Sequence, residues 1–433
     1  MHFPRSRRGR FFVSNCCAIG VLLLSFFATM AQAGQTVLSG GVALRQDYDS
    51  NIDRTSQNQR SEWLTAVSPT LRLTAKGPDN ALVFRYAPSL VYSHRTDLER
   101  IDHLLAARVE KEWGERFSTY LSDTFVRAED PSADDEAATG LALADNRGRN
   151  RYLTNNFDVG MQYVYARESF FKLSYQNRIL DNDGGDREDF RKNTPGISVF
   201  HRFSPQWQAQ VDTTFTDGNF DQTDDLTQNT GDFFLYYSQT PTSKLFGHYG
   251  VAQTAYDGLQ DDYSRQNISL GWIRQQSATL DFKLEGGSVF LNRDNRAAES
   301  ELYYAMSVNQ KTERGEMNLA AAGGVDEQQF NGATDEGVSR YWSLNAAIRQ
   351  ELYKNIHAAA KCSYRTDTYI DQLVEQEKRK LQAEASLSHT FGQWYMVSVK
   401  YIYARQGADI STDRYEDNRL LMVFSFNKDF VKW

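Results

Sequence analysis

The chain has 433 residues, 48 basic and 56 acidic, with 13% aromatics, 8 prolines, 3 cysteines and a mean hydropathy of −0.60. That hydropathy, without a second long apolar segment, excludes a helical membrane protein. It leaves open a membrane barrel, whose strands of about 9–11 residues are apolar only at every second position.

At the N-terminus, Arg5, Arg7, Arg8 and Arg10 precede an apolar run over residues 18–30 and the small-residue pattern Ala31-Gln32-Ala33. This order is that of a secretory signal peptide over residues 1–33. The run is short of the roughly 20 residues of a membrane-spanning helix. Cys16 and Cys17 come before it, which argues against lipoprotein cleavage. Removal of the leader leaves 44 basic against 56 acidic residues, a formal −12, and the single cysteine Cys362. One thiol supports neither a disulfide framework nor a thiolate metal site. Stability of residues 34–433 must therefore come from sheet closure or a core.

Short turn signals follow at Gly77-Pro78-Asp79, Gly114-Glu115, Arg167-Glu168, Ser204-Pro205, Thr240-Pro241, Ser277-Ala278, Arg314-Gly315, Lys354-Asn355 and Gly392-Gln393. Between them lie paired strand-like runs separated by longer polar stretches, such as residues 181–189, 220–229 and 331–337. Short turns on one side and long loops on the other predict an all-β fold, a closed antiparallel transmembrane β-barrel with short periplasmic turns and longer extracellular loops. Ten hairpins give about 20 strands, with 16 or 18 as alternatives. A β-propeller shares a period near forty residues, but a blade must fit four short strands where this chain has two long ones.

Alternation assigns the faces, because successive side chains of a strand point to opposite sides. Trp63, Thr65, Val67, Pro69, Leu71 and Leu73 share a lipid-suited face opposite Glu62, Ala66, Ser68, Thr70 and Arg72. The next strand sets Leu82, Phe84, Tyr86, Pro88, Leu90 and Tyr92 against Arg85, Ala87 and Ser89, and later strands repeat the pattern at 280–285 and 395–403. On this assignment arginine is tolerated at the inward Gly287 and not at the outward Leu284. Residues 101–113 and 117–126 alternate poorly. The longest loop, 129–150, is either a surface loop or a constriction folded into the bore.

The segment Tyr48-Asp49-Ser50-Asn51-Ile52, followed by a return strand with Ser68-Pro69, resembles the opening of the second beta-barrel porin family. Asp53 departs from it, since many members carry an aromatic there. The final strand, with Phe424, Phe426, Phe430 and terminal Trp433, looks like a barrel-assembly signal. The resemblance implies an association with exopolysaccharide production and export. It is the sole source of that association.

For chemistry, His94, His103, His201, His248, His357 and His389 are scattered over separate strands, and His94 with Asp97 is the nearest approach to a barrel protease pair. No nucleotide or phosphate loop is present, and neither a cofactor nor a nucleic-acid partner is expected. Asp221, Asp224 and Asp225, or Asp181, Asp183, Asp186 and Glu188, offer oxygen ligands for calcium, the alternative being plain solvation. The lumen is more informative. The face assignment turns Arg72, Arg85, Arg108, Lys172, Arg178, Arg202, Arg265, Lys283, Arg349, Lys361, Arg365, Lys380 and Lys400 inward, against Glu62, Glu110, Asp158, Asp212, Asp281, Glu285, Glu351 and Glu384. A basic bore concentrates anions, while charges paired across strands would only brace the wall. The expectation is an outer-membrane conduit for an anionic oligo- or polysaccharide, in contact with outer-membrane lipid and with periplasmic export proteins as partners. The rivals are a non-conducting structural or adhesion barrel and an outer-membrane hydrolase.

Overall fold

A computed structural model describes residues 34–433 apart from 96–98, 130–149, 184–186, 295, 328–329, 331–336 and 371–374. The expected leader and most of the 129–150 loop lie outside the described residues. Twenty strands follow in order: β1 (Gln35–Asp49), β2 (Glu62–Lys76), β3 (Asn80–Ser93), β4 (Glu99–Glu112), β5 (Phe117–Ala128), β6 (Tyr152–Ala166), β7 (Ser169–Asn182), β8 (Phe190–Arg202), β9 (Trp207–Phe220) and β10 (Leu226–Thr240). The second half comprises β11 (Ser243–Tyr256), β12 (Tyr263–Ser277), β13 (Leu280–Arg293), β14 (Glu299–Thr312), β15 (Gly315–Glu327), β16 (Val338–Tyr353), β17 (Ile356–Tyr369), β18 (Gln376–Phe391), β19 (Tyr395–Ala408) and β20 (Tyr415–Lys432). Each strand pairs antiparallel with the next, and β1 pairs with β20, so the sheet closes on itself without an open edge.

All nine short turns fall at or beside the positions marked in the sequence, seven of them carrying Gly, Pro or Asn. A tight reversal needs positive φ, which Gly114 (95°), Glu168 (57°), Asn355 (66°) and Gly392 (64°) supply. The opposite ends are joined by the longer connections, giving the barrel a short-turn rim and a long-loop rim. At the short-turn rim the outer wall is aromatic, with exposed Trp113, Phe203, Trp207, Phe391, Trp394 and Tyr395. This is the position of an interfacial girdle, where amphipathic rings sit at headgroup level.

Register connects the faces into rows. Leu44, Val67, Leu90 and Ile101 are successive partners across β1 to β4 and are 39–53% exposed. The neighbouring row, Arg45, Ala66, Val91 and Arg100, points the other way, with Ala66 and Val91 buried. A closed sheet whose large apolar side chains are exposed on its convex side is apolar outside and polar within, the inverse of a soluble barrel.

The faces assigned from alternation recur, and so does the face assigned to Leu284, which is 40% exposed. Gly287 behaves differently from the expectation. It faces inward, but a Cβ there would lie 2.0 Å from the Ile268 carbonyl oxygen, so arginine is not accommodated. Ser307, beside Lys283 on the inner face of β14, is the proper counterpart. Leu284→Arg is expected to cost about 2–4 kcal/mol near the midplane. Ser307→Arg sets a like charge opposite Lys283 but faces the bore, and should lose far less than Leu284→Arg in a urea titration of detergent-refolded barrel. Equal loss in both would overturn the face assignment of this wall.

Poor alternation in β4 and β5 has a structural cause. Their inner positions Leu104, Val126 and Ala128 are apolar because they pack inside the bore with Tyr152, Leu180 and Phe190. On the outer set Asp123 is only 6% exposed and accepts a 2.8 Å bond from Asn155.

The Tyr48–Ile52 segment turns out to close the barrel. Asp49 Oδ1 accepts the Asn51 amide at 2.9 Å, and the fully buried Asn51 donates to the carbonyls of Thr55 (2.8 Å) and Glu416 (3.0 Å). The first long loop is thereby clamped to the last strand. Arg60 pairs with Asp53 in the same loop, which holds its guanidinium above the ordinary range. At the other rim, Thr36 and Trp433 exchange backbone bonds of 2.8 and 3.1 Å.

Candidate functional site

The candidate site is the bore. All thirteen basic residues expected in the bore belong by register to the inner set: Arg108 and Arg265 are paired with Glu110 and Glu327, Lys380 has a contact of its own, and the other ten are Arg72, Arg85, Lys172, Arg178, Arg202, Lys283, Arg349, Lys361, Arg365 and Lys400. They do not form one group.

Five of these ten are neutralised or lie beside an acid. Arg365 binds Asp326 (2.6 Å) and Asp367 (2.7 Å) and stacks on Tyr341 at 4.4 Å. Lys400 reaches Glu384 at 3.5 Å and Lys283 reaches Glu285 at 3.2 Å. Arg202 pairs with Glu168 of the adjacent short turn, and Arg178 lies in the field of Asp158. The remaining five, Arg72, Arg85, Lys172, Arg349 and Lys361, make no ion pair among the described residues. Each lies in the half of its strand nearer the short-turn rim, Lys172 with its ammonium 5.3 Å from the Tyr120 ring centre.

Arg72 and Arg85 are direct cross-strand partners, both exposed to the bore, beside the Ser68–Ser89 hydroxyl bond of 2.8 Å. Like charges directly opposite one another destabilise a sheet. Both guanidiniums are exposed, where solvent and salt would screen the repulsion.

Several inner charges escape the reading from sequence. Asp47 and Arg419 form a buried pair across the β1–β20 seam, with bonds of 2.5–3.2 Å. His248 lies between Asp232 (2.9 Å) and Glu285 (3.3 Å), stacked on Phe234 at 4.2 Å, and Ser269 donates to Glu285 at 2.7 Å. The signal for Asp47 was present, since Val42 and Leu44 alternate with it. That for Asp232 and His248 was hidden among small and aromatic neighbours. Asp47, Asp232, Asp326 and Asp367 bring the bore as a whole close to charge balance. The basic excess is local to the short-turn half.

The long-loop half is filled instead. Phe330, from the connection after β15, stacks on Phe220 (5.2 Å) and meets Phe190 edge-on (5.4 Å), with Lys192 Nζ 4.2 Å from its ring centre. β8 and β9 stand well around the barrel from β15, so this ring crosses the bore. The 129–150 loop, read from sequence as either a surface loop or a constriction, lies outside the described residues apart from its two ends, and the crossing that is visible comes from a different loop. Phe330→Ala is expected to leave folding intact and raise single-channel conductance. An unchanged conductance would mean that this ring does not obstruct the path.

The acidic loop residues are used by backbone. Asp224 accepts the amides of Leu259 and Gln260 (2.6 and 3.0 Å), Asp225 that of Phe220 (2.8 Å), and Glu188 those of Asp221 and Gln222 (2.8 and 2.9 Å). No group of three or more metal-ligating side chains occurs among the described residues. His94 bonds Thr65 at 2.7 Å, while Asp97 lies outside the described residues. His201 and His389 are on the outer face against Tyr165 and Phe391.

Closure, an apolar outside and a charged bore define the class: an outer-membrane β-barrel. No family model matches the chain and no curated protein matches it, so the resemblance carried by Tyr48, Asp49, Asn51, Ile52, Ser68 and Pro69 gains no support there. Solved structures do match. The siderophore receptor PirA of Pseudomonas aeruginosa is similar with a TM-score of 0.51 at 10% identity, over 90% of this chain and 80% of that one. The ferric enterobactin receptor PfeA of the same organism gives 0.52 at 7%, over 90% and 81%. OprD, also from Pseudomonas aeruginosa, gives 0.42 at 10%, over 93% and 98%. At these identities the likeness is one of fold.

Proposed function

We propose that this barrel is a passive conduit of the Gram-negative outer membrane that favours anions, reached through the periplasm after removal of residues 1–33, with its short turns periplasmic. The observation that carries the reading is the Arg72–Arg85 pair, two lumen-exposed guanidiniums in register and without an acid. Lys172 adds a further cation without an ion pair among the described residues, whereas Arg349 and Lys361 stand opposite Glu316 and Glu384 in register, so the unneutralised charge that favours anions in a pore centres on the arginine pair. The substrate class, an anionic oligo- or polysaccharide delivered by periplasmic export proteins, rests on the resemblance of the first loop. No covalent step or cofactor enters the reading.

The second reading, a non-conducting structural barrel, is favoured by the aromatic cluster around Phe330. Planar-bilayer recording separates the two. The expected result is a discrete conductance whose reversal potential under a salt gradient reports anion preference. Absence of conductance from folded protein would favour the structural barrel, and cation preference would remove the arginine pair as selector.

A further inference from the structure

We infer that the outer wall of β11 to β14 holds a binding site for one glycerophospholipid, headgroup at Arg274 and an acyl chain in a notch over Gly286. The inference rests on the membrane placement proposed above and is independent of conduction.

Register lays out three successive outer rows. Nearest the short-turn rim run Ser243, Arg274, Phe282 and Val308, then Leu245, Trp272, Leu284 and Met306, then Gly247, Leu270, Gly286 and Tyr304. The second and third rows line a shallow, open notch of about 510 Å³. Leu270 and Tyr304 stand up on either side of Gly286, where no side chain fills the wall.

That gap is not demanded by the fold. Gly271 and Gly287 are required, because a Cβ at either would collide with the Phe246 ring or the Ile268 carbonyl. At Gly286 nothing lies within 4 Å of the Cβ position and the backbone is not left-handed. A glycine inside a strand weakens it, so its presence at the base of an apolar notch calls for an occupant.

The polar end identifies the occupant. Arg274 is exposed on the outer face, its guanidinium 5.7 Å from the Trp272 ring centre, and makes no ion pair among the described residues. Trp272 Nε1 donates to Ser243 Oγ at 2.9 Å, which fixes the indole with its polar edge toward the rim. An outward arginine at headgroup level seeks an anion, and the apolar notch begins one row deeper. A phosphodiester with an acyl tail satisfies both, and membrane phospholipid is the molecule of that chemistry in contact with the wall. Lipid A shares the chemistry, but with the short turns periplasmic it occupies the opposite leaflet.

The test uses the full barrel purified in detergent, titrated with phosphatidylglycerol and, separately, lipid A, with retained lipid read by native mass spectrometry. The parent should retain one phosphatidylglycerol. Arg274→Gln should weaken retention about fivefold, the effect of one basic side chain at an anionic lipid surface. Gly286→Leu, which has room to fold, should abolish it by filling the notch. Ala385→Leu, on the outer face of β18, should change nothing. Heat-dependent gel mobility confirms closure of each variant. No retained lipid in the parent, equal retention in all variants, or preference for lipid A would each overturn the site.

Discussion

Asp47→Ala is expected to destabilise the barrel by about 3–5 kcal/mol, the cost of leaving one member of a buried ion pair without its partner. Asp47 is fully buried and Arg419 is 6% exposed, and their carboxylate–guanidinium bonds of 2.5–3.2 Å join the first strand to the last. Losing the carboxylate strands a cation inside the seam that closes the sheet. The double variant Asp47→Leu, Arg419→Met should recover most of the loss, since an apolar pair of similar volume is often neutral where a single charge is not. Urea-dependent refolding into micelles measures both. Equal destabilisation of single and double variants would show that seam packing, not the charge pair, carries the stability.

Reversing the guanidinium pair has the larger functional effect. Arg72→Glu with Arg85→Glu should still insert and still run faster unheated than boiled, because neither side chain bonds to another among the described residues. Each reversal changes the charge by two units and so shifts an ion about 4 Å away by about 2 kcal/mol in water before screening. The anion-to-cation permeability ratio should therefore fall several-fold at 0.1 M salt. It should recover toward the parent value at 1 M, where the Debye length has dropped from about 10 Å to about 3 Å. Lys283→Gln is the contrast, since this lysine is already answered by Glu285 at 3.2 Å and its loss should move selectivity little. A folded double variant with parental selectivity at low salt would eliminate these arginines as selectors.

Much of this was legible in the primary structure, and the reason is locality. A turn needs particular residues within two or three positions, so Gly77-Pro78-Asp79 and Lys354-Asn355 announce reversals wherever they occur. A strand with one wall against lipid must alternate, so Val67 and Leu71 assign Arg72 to the bore without knowledge of any partner. A closed barrel of about twenty strands and its two faces follow from those two periodic signals.

What alternation cannot carry is pairing. It assigns Arg72 and Arg365 to the same bore on equal terms, yet Arg365 is held by Asp326 and Asp367 while Arg72 faces another arginine. That distinction depends on register between strands and on which loop ends lean inward. The same holds for Phe330, which meets Phe190 and Phe220 across the bore. It holds also for Gly287, where the partner strand's Ile268 carbonyl occupies the space a side chain would need. The order of polar and apolar residues along this chain by itself determined a barrel and its two faces, because these obey a period of two, while the count of twenty among the alternatives was decided by the structure. Which charges are left unneutralised, where the bore is filled and how the seam is locked were decided only by the tertiary structure, because each is a relation between residues far apart in sequence, set by register and closure.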